Sequence, residues 1–159
     1  MKWFFVLASC WFAICANAQL KADHVLVKKS EHKLYLLRQG IVYETFHVVF
    51  GPRPLGPKLT EGDERTPEGK YTLDFKKSHS RFYKSIHISY PNAADRERSA
   101  KLGLRPGGAI AIHGQPADGA LGGDARYFNW TDGCIAVANE DMEILWVAID
   151  VGTPITIEP

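Results

Sequence analysis

Short runs of β-branched and aromatic residues, each cut off by polar or glycine-bearing stretches, dominate the first half of the chain. Val25 to Lys28, Lys33 to Arg38 and Val42 to Phe50 are such runs, separated by Lys29-Ser30-Glu31 and by Gln39-Gly40. The pattern predicts a meander of antiparallel strands. Gly51 to Thr66 holds several glycines and prolines and little apolar content, so it reads as a loop. Tyr71 to Phe75 alternates with period two and resumes the sheet, and Ile86 to Tyr90 is a further strand ended by Pro91.

The second half mixes both periods. Ala93 to Leu102 reads as a short, charged helix ending at Gly103, and the charged run Asp95 to Arg98 is its solvated face. Ala109 to Ile112 is a compact apolar strand that delivers His113 at its end. Gly114 to Asn129 is a long, glycine-rich loop, placed to cover a site. Cys134 to Val137 is strand-like again. Asn139 is positioned to cap a helix from Glu140 to about Ile149, with Met142, Leu145, Trp146 and Ile149 on one face. Pro154 to Ile157 is expected to close the sheet. No internal repeat, linker or low-complexity tract interrupts this reading, which is one mostly-β domain with two helices.

The N-terminus has a different character. A basic Met1-Lys2 precedes an apolar run from Trp3 to Ile14, and Ala16-Asn17-Ala18 places small residues where a signal peptidase reads. Residues 1–18 are therefore expected to be a secretory signal, with the mature domain running from 19 to 159. Leu7-Ala8-Ser9-Cys10 is a competing lipoprotein box, but the apolar run ahead of Cys10 is short for one. The mature chain of roughly 140 residues is the size of one domain. The 19 Lys and Arg stand against 18 Asp and Glu, and Lys2 departs with the signal, leaving formal neutrality. Neutrality argues against nucleic acid as a partner, and no later apolar stretch is long enough for a membrane span.

Of the three cysteines, Cys10 and Cys15 lie in the signal, so Cys134 is the one mature thiol. An unpaired thiol in an oxidising compartment calls for a chemical role. Cysteine attacks as its thiolate, and an imidazole within hydrogen-bond reach supplies that form and later protonates a leaving amine. His113, followed by Gly114, is the candidate base. Gly133 ahead of Cys134 lets backbone amides turn toward a developing oxyanion.

Ile112-His113-Gly114, followed by Thr131-Asp132-Gly133-Cys134-Ile135, resembles the signature of the L,D-transpeptidases of the YkuD type: His-Gly, then Ser/Thr-x-Gly-Cys. Thr66-Pro67-Glu68-Gly69-Lys70-Tyr71 resembles the family's turn into a strand, and His87-Ile88-Ser89-Tyr90-Pro91-Asn92 a run found in one branch of it. The resemblance spans about His24 to the C-terminus. It implies a β-sandwich or partly open barrel with one or two helices. It also implies an acyl transfer on peptidoglycan tetrapeptide stems. The cysteine takes the acyl group at the bond after the third residue, releases D-alanine, and passes the thioester to an amine.

By position, the resemblance makes Cys134 the nucleophile and His113 the base. Gly133 and Cys134 supply oxyanion amides, Gly114 orients His113 through its backbone, and Thr131 supports the loop. Thr131, Asp132, His87, Tyr90 and Trp130 are the candidate substrate-binding residues; His87, in an apolar alternating run, reads equally as a core residue, and packing is the stronger reading of Tyr90 and Trp130. Two departures stand out. Asp132 replaces a frequent histidine, which leaves thiol chemistry intact. Ala136 replaces a frequent arginine, and Arg126 or Arg81 are the cations that could stand in for it.

Other readings carry less. His79, His87, His113 and Cys134 lack the close pairs of a zinc site, so no metal or other cofactor is expected. Gly51 to Thr60 has phosphate-loop glycine spacing, but Pro57 intrudes before Lys58 and no helix follows. Asn129-Trp130-Thr131 is a formal glycosylation sequon on top of the proposed site. A hydrolase of the same fold (a carboxypeptidase, or an amidase releasing wall-attached groups) shares all these residues. So does a non-catalytic wall-binding module, whose one support is Ala136.

Overall fold

The computed structural model describes residues 20–116, 119, 121 and 123–159; the expected signal, Cys10 and the predicted mature start fall outside them. Eight strands and two helices follow in the order β1 (His24–Lys28), β2 (Lys33–Arg38), β3 (Ile41–His47), β4 (Gly69–Ser80), β5 (Tyr83–Ile88), α1 (Ala93–Lys101), β6 (Ala111–His113), β7 (Ile135–Ala136), α2 (Asn139–Ala148) and β8 (Pro154–Glu158). They form one mostly-β sheet in the order β3-β2-β1-β8-β4-β5-β6-β7.

β1, β2 and β3 are the antiparallel meander anticipated above. β8 does not close the sheet, as expected from sequence, but lies in its middle, parallel to β1 and antiparallel to β4. Its Ile155 and Ile157 are buried, and a two-sided partner for such residues requires a central place. β4 is the hinge of the architecture. Gly69 to Thr72 pair with β8, the register shifts between Leu73 and Phe75, and the remainder pairs with β5. Such a bulge bends a strand, so one strand serves both halves of the sheet. The sheet is not closed. One antiparallel bridge, Val49 with Ala136, ties the segment after β3 to the opposite edge strand β7.

Alternation builds the core. Val25, Val27, Leu34, Leu36, Ile86, Ile88, Ile112 and Ile135 are fully buried from their respective strands. α2 lays Met142 and Leu145 onto them, with Trp146 partly buried at the margin. Asn139 is not the cap of that helix. Ala138 holds the cap position, and the Asn139 side chain accepts from Gln115 N–H at 2.8 Å instead. α1 starts at a reciprocal capping box between Asn92 and Asp95, and Asp95 also accepts from Tyr71 on β4 at 3.0 Å.

The loop from 51 to 68 is braced. Buried Lys29 donates to Glu68 at 2.7 Å, to the Gly56 carbonyl at 2.8 Å and to the Thr66 carbonyl at 3.2 Å. Asp63 pairs with buried Lys58 at 2.7 Å and accepts from the N–H groups of Leu59 and Thr60. Fixing this loop matters because its Arg65 carbonyl abuts Gly133.

Candidate active site

β6 and β7 run parallel, with Ile112 opposite Ile135 and His113 opposite Ala136. Both isoleucines face the core. Alternation therefore turns His113 and Ala136 to the other face, and Cys134, two residues before Ala136, to that same face. His113 and Cys134 are diagonal neighbours across this strand pair, and they line one cleft of about 280 Å³.

The imidazole is held on three sides. Nδ1 donates to the Gly114 carbonyl at 2.7 Å. A carbonyl only accepts, so Nδ1 carries the proton and Nε2 presents its lone pair. Phe82 stacks on the ring at 4.5 Å and 24°, and Trp130 tilts against it at 5.6 Å. Trp130 is fixed in turn by its indole N–H, which donates to the Ala125 carbonyl at 2.9 Å. Burial among these groups lowers the His113 pKa to about 4, with the Gly114 bond pulling the other way. The ring is neutral at physiological pH.

Cys134 is partly exposed, and its Sγ lies 3.6 Å from the Ala109 carbonyl. Burial raises the thiol pKa above its ordinary value; a backbone hydrogen bond from Ala111 opposes the rise, Asp132 adds to it, and Lys58 opposes it. The resting pair is thus a neutral thiol beside a neutral imidazole, not a preformed ion pair. Desolvation penalises both charged forms.

The loop carrying the thiol is tied to itself and to its neighbours. The Thr131 hydroxyl donates to the Cys134 carbonyl at 2.7 Å and accepts from Gly133 N–H at 3.2 Å. Thr131 N–H donates to Phe50, whose own N–H donates to the Asn129 side chain at 2.9 Å. Gly133 has φ +112°, and an added Cβ would lie 2.5 Å from the Arg65 carbonyl oxygen, so only glycine suits this position. Gly114 packs its α-carbon against Asn139 Oδ1 and the backbone of Phe82, which excludes any side chain there too. Of the two amides expected to face a substrate, Gly133 N–H is engaged by Thr131. Val137 N–H bonds back to β6 while Ala136 N–H bonds outward to Val49, so alternation directs Cys134 N–H away from the β6–β7 ladder.

The remaining candidates divide. Thr131, Asp132 and Trp130 line the cleft with Cys134 and His113. Asp132 also borders a second cleft of about 310 Å³, shared with Lys58, Glu61, Glu64, Gly108 and Ile110. His87 and Tyr90 are not among the described residues lining the first cleft. His87 stacks on Phe75 at 4.4 Å and pairs with Asp74 at 2.7 Å, and Tyr90 is a core residue whose hydroxyl donates to the Pro106 carbonyl at 3.0 Å. Phe82 is the residue that sequence reasoning missed. It sits in the β4–β5 turn, where no periodicity marks it.

A family model described as the L,D-transpeptidase catalytic domain, YkuD, matches residues 22–157. The chain belongs to this family. Among curated relatives, YafK of Escherichia coli strain K12, provisionally named an L,D-transpeptidase, is 42% identical over 62 residues, covering 38% of this chain and 23% of YafK. Among solved structures, the helical cell shape determining protein Pgp2 of Campylobacter jejuni superposes with a TM-score of 0.65 at 28% identity, covering 85% of this chain and 46% of Pgp2. A Xylanimonas cellulosilytica L,D-transpeptidase shares the fold at a TM-score of 0.58 and 16% identity, covering 87% of this chain and 61% of that one. The chain spans less than half the length of YafK and of Pgp2. In this YkuD domain Ala136 is buried and bonded both ways to the Val49 backbone. Arg126 lies beside it in a separate small cavity, whereas Arg81 lines the cleft of Cys134.

Proposed function

We propose that the chain acts on peptidoglycan tetrapeptide stems as a cysteine L,D-transpeptidase, exported by residues 1–18 to the periplasm or cell wall. The supporting observation is a thiol and a neutral, tautomer-fixed imidazole on one sheet face, lining one cleft. His113 Nε2 takes the thiol proton as Sγ attacks the carbonyl carbon of the third stem residue. The oxyanion develops toward Cys134 N–H, and toward Gly133 N–H once that bond swings from Thr131. Collapse breaks the peptide bond, and the imidazolium returns its proton to the departing D-alanine amine. An acceptor amine then attacks the thioester carbonyl, loses its proton to His113, and frees the thiol.

The second cleft, meeting the first at Asp132, is the place we assign to that acceptor. Replacing Cys134 with alanine is expected to abolish the covalent mass adduct with a stem peptide or a carbapenem. A Cys134→Ala variant that still turned over substrate would refute the assignment. Incubation of the pure enzyme with muropeptides separates the outcomes. Cross-linked dimers support transfer, trimmed monomers a carboxypeptidase or amidase, and sacculus binding without thiol reactivity a wall-binding module.

A further inference from the structure

Among the described residues that line the cleft beside Cys134, one is a permanent cation, and its place in the fold is not that of the arginine the family resemblance implies. Arg81 projects from the β4–β5 turn and lines the cleft together with His113 and Cys134. It joins none of the ion pairs between described residues. Its guanidinium carbon lies 5.5 Å from the centre of the Phe82 ring, and Phe82 is the ring stacked on His113. Guanidinium, phenyl and imidazole thus follow one another along a single wall. His113 contributes no charge of its own, being neutral, and the acidic Asp132 marks the boundary with the second cleft.

A base that protonates the leaving amine must sit on the leaving-group side of the scissile bond. The residue beyond His113 on that wall meets whatever follows the leaving nitrogen. In a tetrapeptide stem, one residue follows, and it ends in a free carboxylate. We infer that Arg81 is a specificity-determining residue that binds the terminal carboxylate of the leaving residue, so that the enzyme recognises the end of the stem. The planar guanidinium suits a carboxylate in a bidentate mode, and the Phe82 face orients it at little entropic cost. The inference rests on the acyl-transfer reading above.

The test compares wild type, Arg81→Ala and Arg81→Lys on a synthetic tetrapeptide stem and on the same peptide carrying a terminal carboxamide, following thioester formation by mass. Wild type is expected to prefer the free acid by about tenfold in kcat/KM, the scale of one charge-assisted hydrogen bond. Arg81→Ala should lose about that factor on the acid, chiefly through KM, and show no preference between the two peptides. Arg81→Lys should recover part of the preference. A wild type that treats both peptides alike, or an Arg81→Ala variant that keeps the preference, overturns the inference while leaving the transpeptidase reading standing. A wild type that forms no thioester with either peptide overturns both.

Discussion

The β1–β2–β3 meander and the β6–β7 pair belong to one sheet but are held in different ways. The meander strands are five to seven residues long and pair with their neighbours from end to end, with one register shift between Leu36 and Leu37. β6 has three residues and β7 has two. β6 is paired over its whole length with β5, but the two-residue ladder to β7 is too short to fix β7 and the loop before it. Bonds from more distant segments add to it: the Val49 bridge to Ala136, the Thr131 bond to Phe50, and the Asn139 bond to Gln115. A long ladder resists a change at any one point. A short one, braced from outside, passes each brace directly into the position of the residue it carries. The difference teaches that damage to the meander should lower stability without touching chemistry, while damage around β7 should reach chemistry as well.

The sharpest separation comes from Leu34→Ala in the meander. Leu34 is fully buried, and truncation should cost about 2–5 kcal/mol of stability. Urea unfolding would measure that loss, and thioester formation by the folded fraction should stay within about twofold of wild type. A large fall in the folded enzyme's rate would break the comparison.

The next effect lies on the site side and depends on pH. The folded His113 pKa of about 4 is depressed below the unfolded value near 6.5. The unfolded chain therefore binds a proton first as pH falls, and the folded state loses stability from about pH 6.5 down to pH 4. The ring is 2% exposed, so the loss between pH 7.5 and 4.5 should approach about 2–3 kcal/mol. Unfolding curves of wild type and His113→Gln at the two pH values check this, the variant being expected to lack that share of the slope.

Thr131→Val is the smallest in stability and the most telling for the loop that carries the thiol. It strands Gly133 N–H and the Cys134 carbonyl at a cost of about 1–3 kcal/mol. Acylation should slow by about tenfold or more, at roughly 1.4 kcal/mol per decade. Unchanged acylation kinetics would show that the loop positions itself without its hydroxyl.

The same contrast explains what the residue pattern disclosed. β2 was readable to its ends, because Lys29-Ser30-Glu31 and Gln39-Gly40 punctuate both sides of an alternating run. β4 was readable only over Tyr71 to Phe75, although it continues to Ser80. Its later residues, Lys76 to His79, are polar, and pairing with β5 rather than burial keeps them extended. The Asn92–Asp95 capping box of α1 is a local signal that the sequence carries. Asn139 offered the same signal and was committed elsewhere, because a side chain's partner in space is not written in its neighbours. The central place of β8 and the parallel β6–β7 pair are long-range choices that no local run encodes. Cys134 and His113 were legible through the glycines beside them; Phe82, which holds the ring, was not, since stacking leaves no periodic trace.

The neutral pairing of sulfur and imidazole has a consequence for the life of the protein outside its reaction. Peroxides and stray disulfides react with thiolates far more readily than with thiols. A sulfur that burial keeps protonated is sheltered from such oxidants in the resting protein.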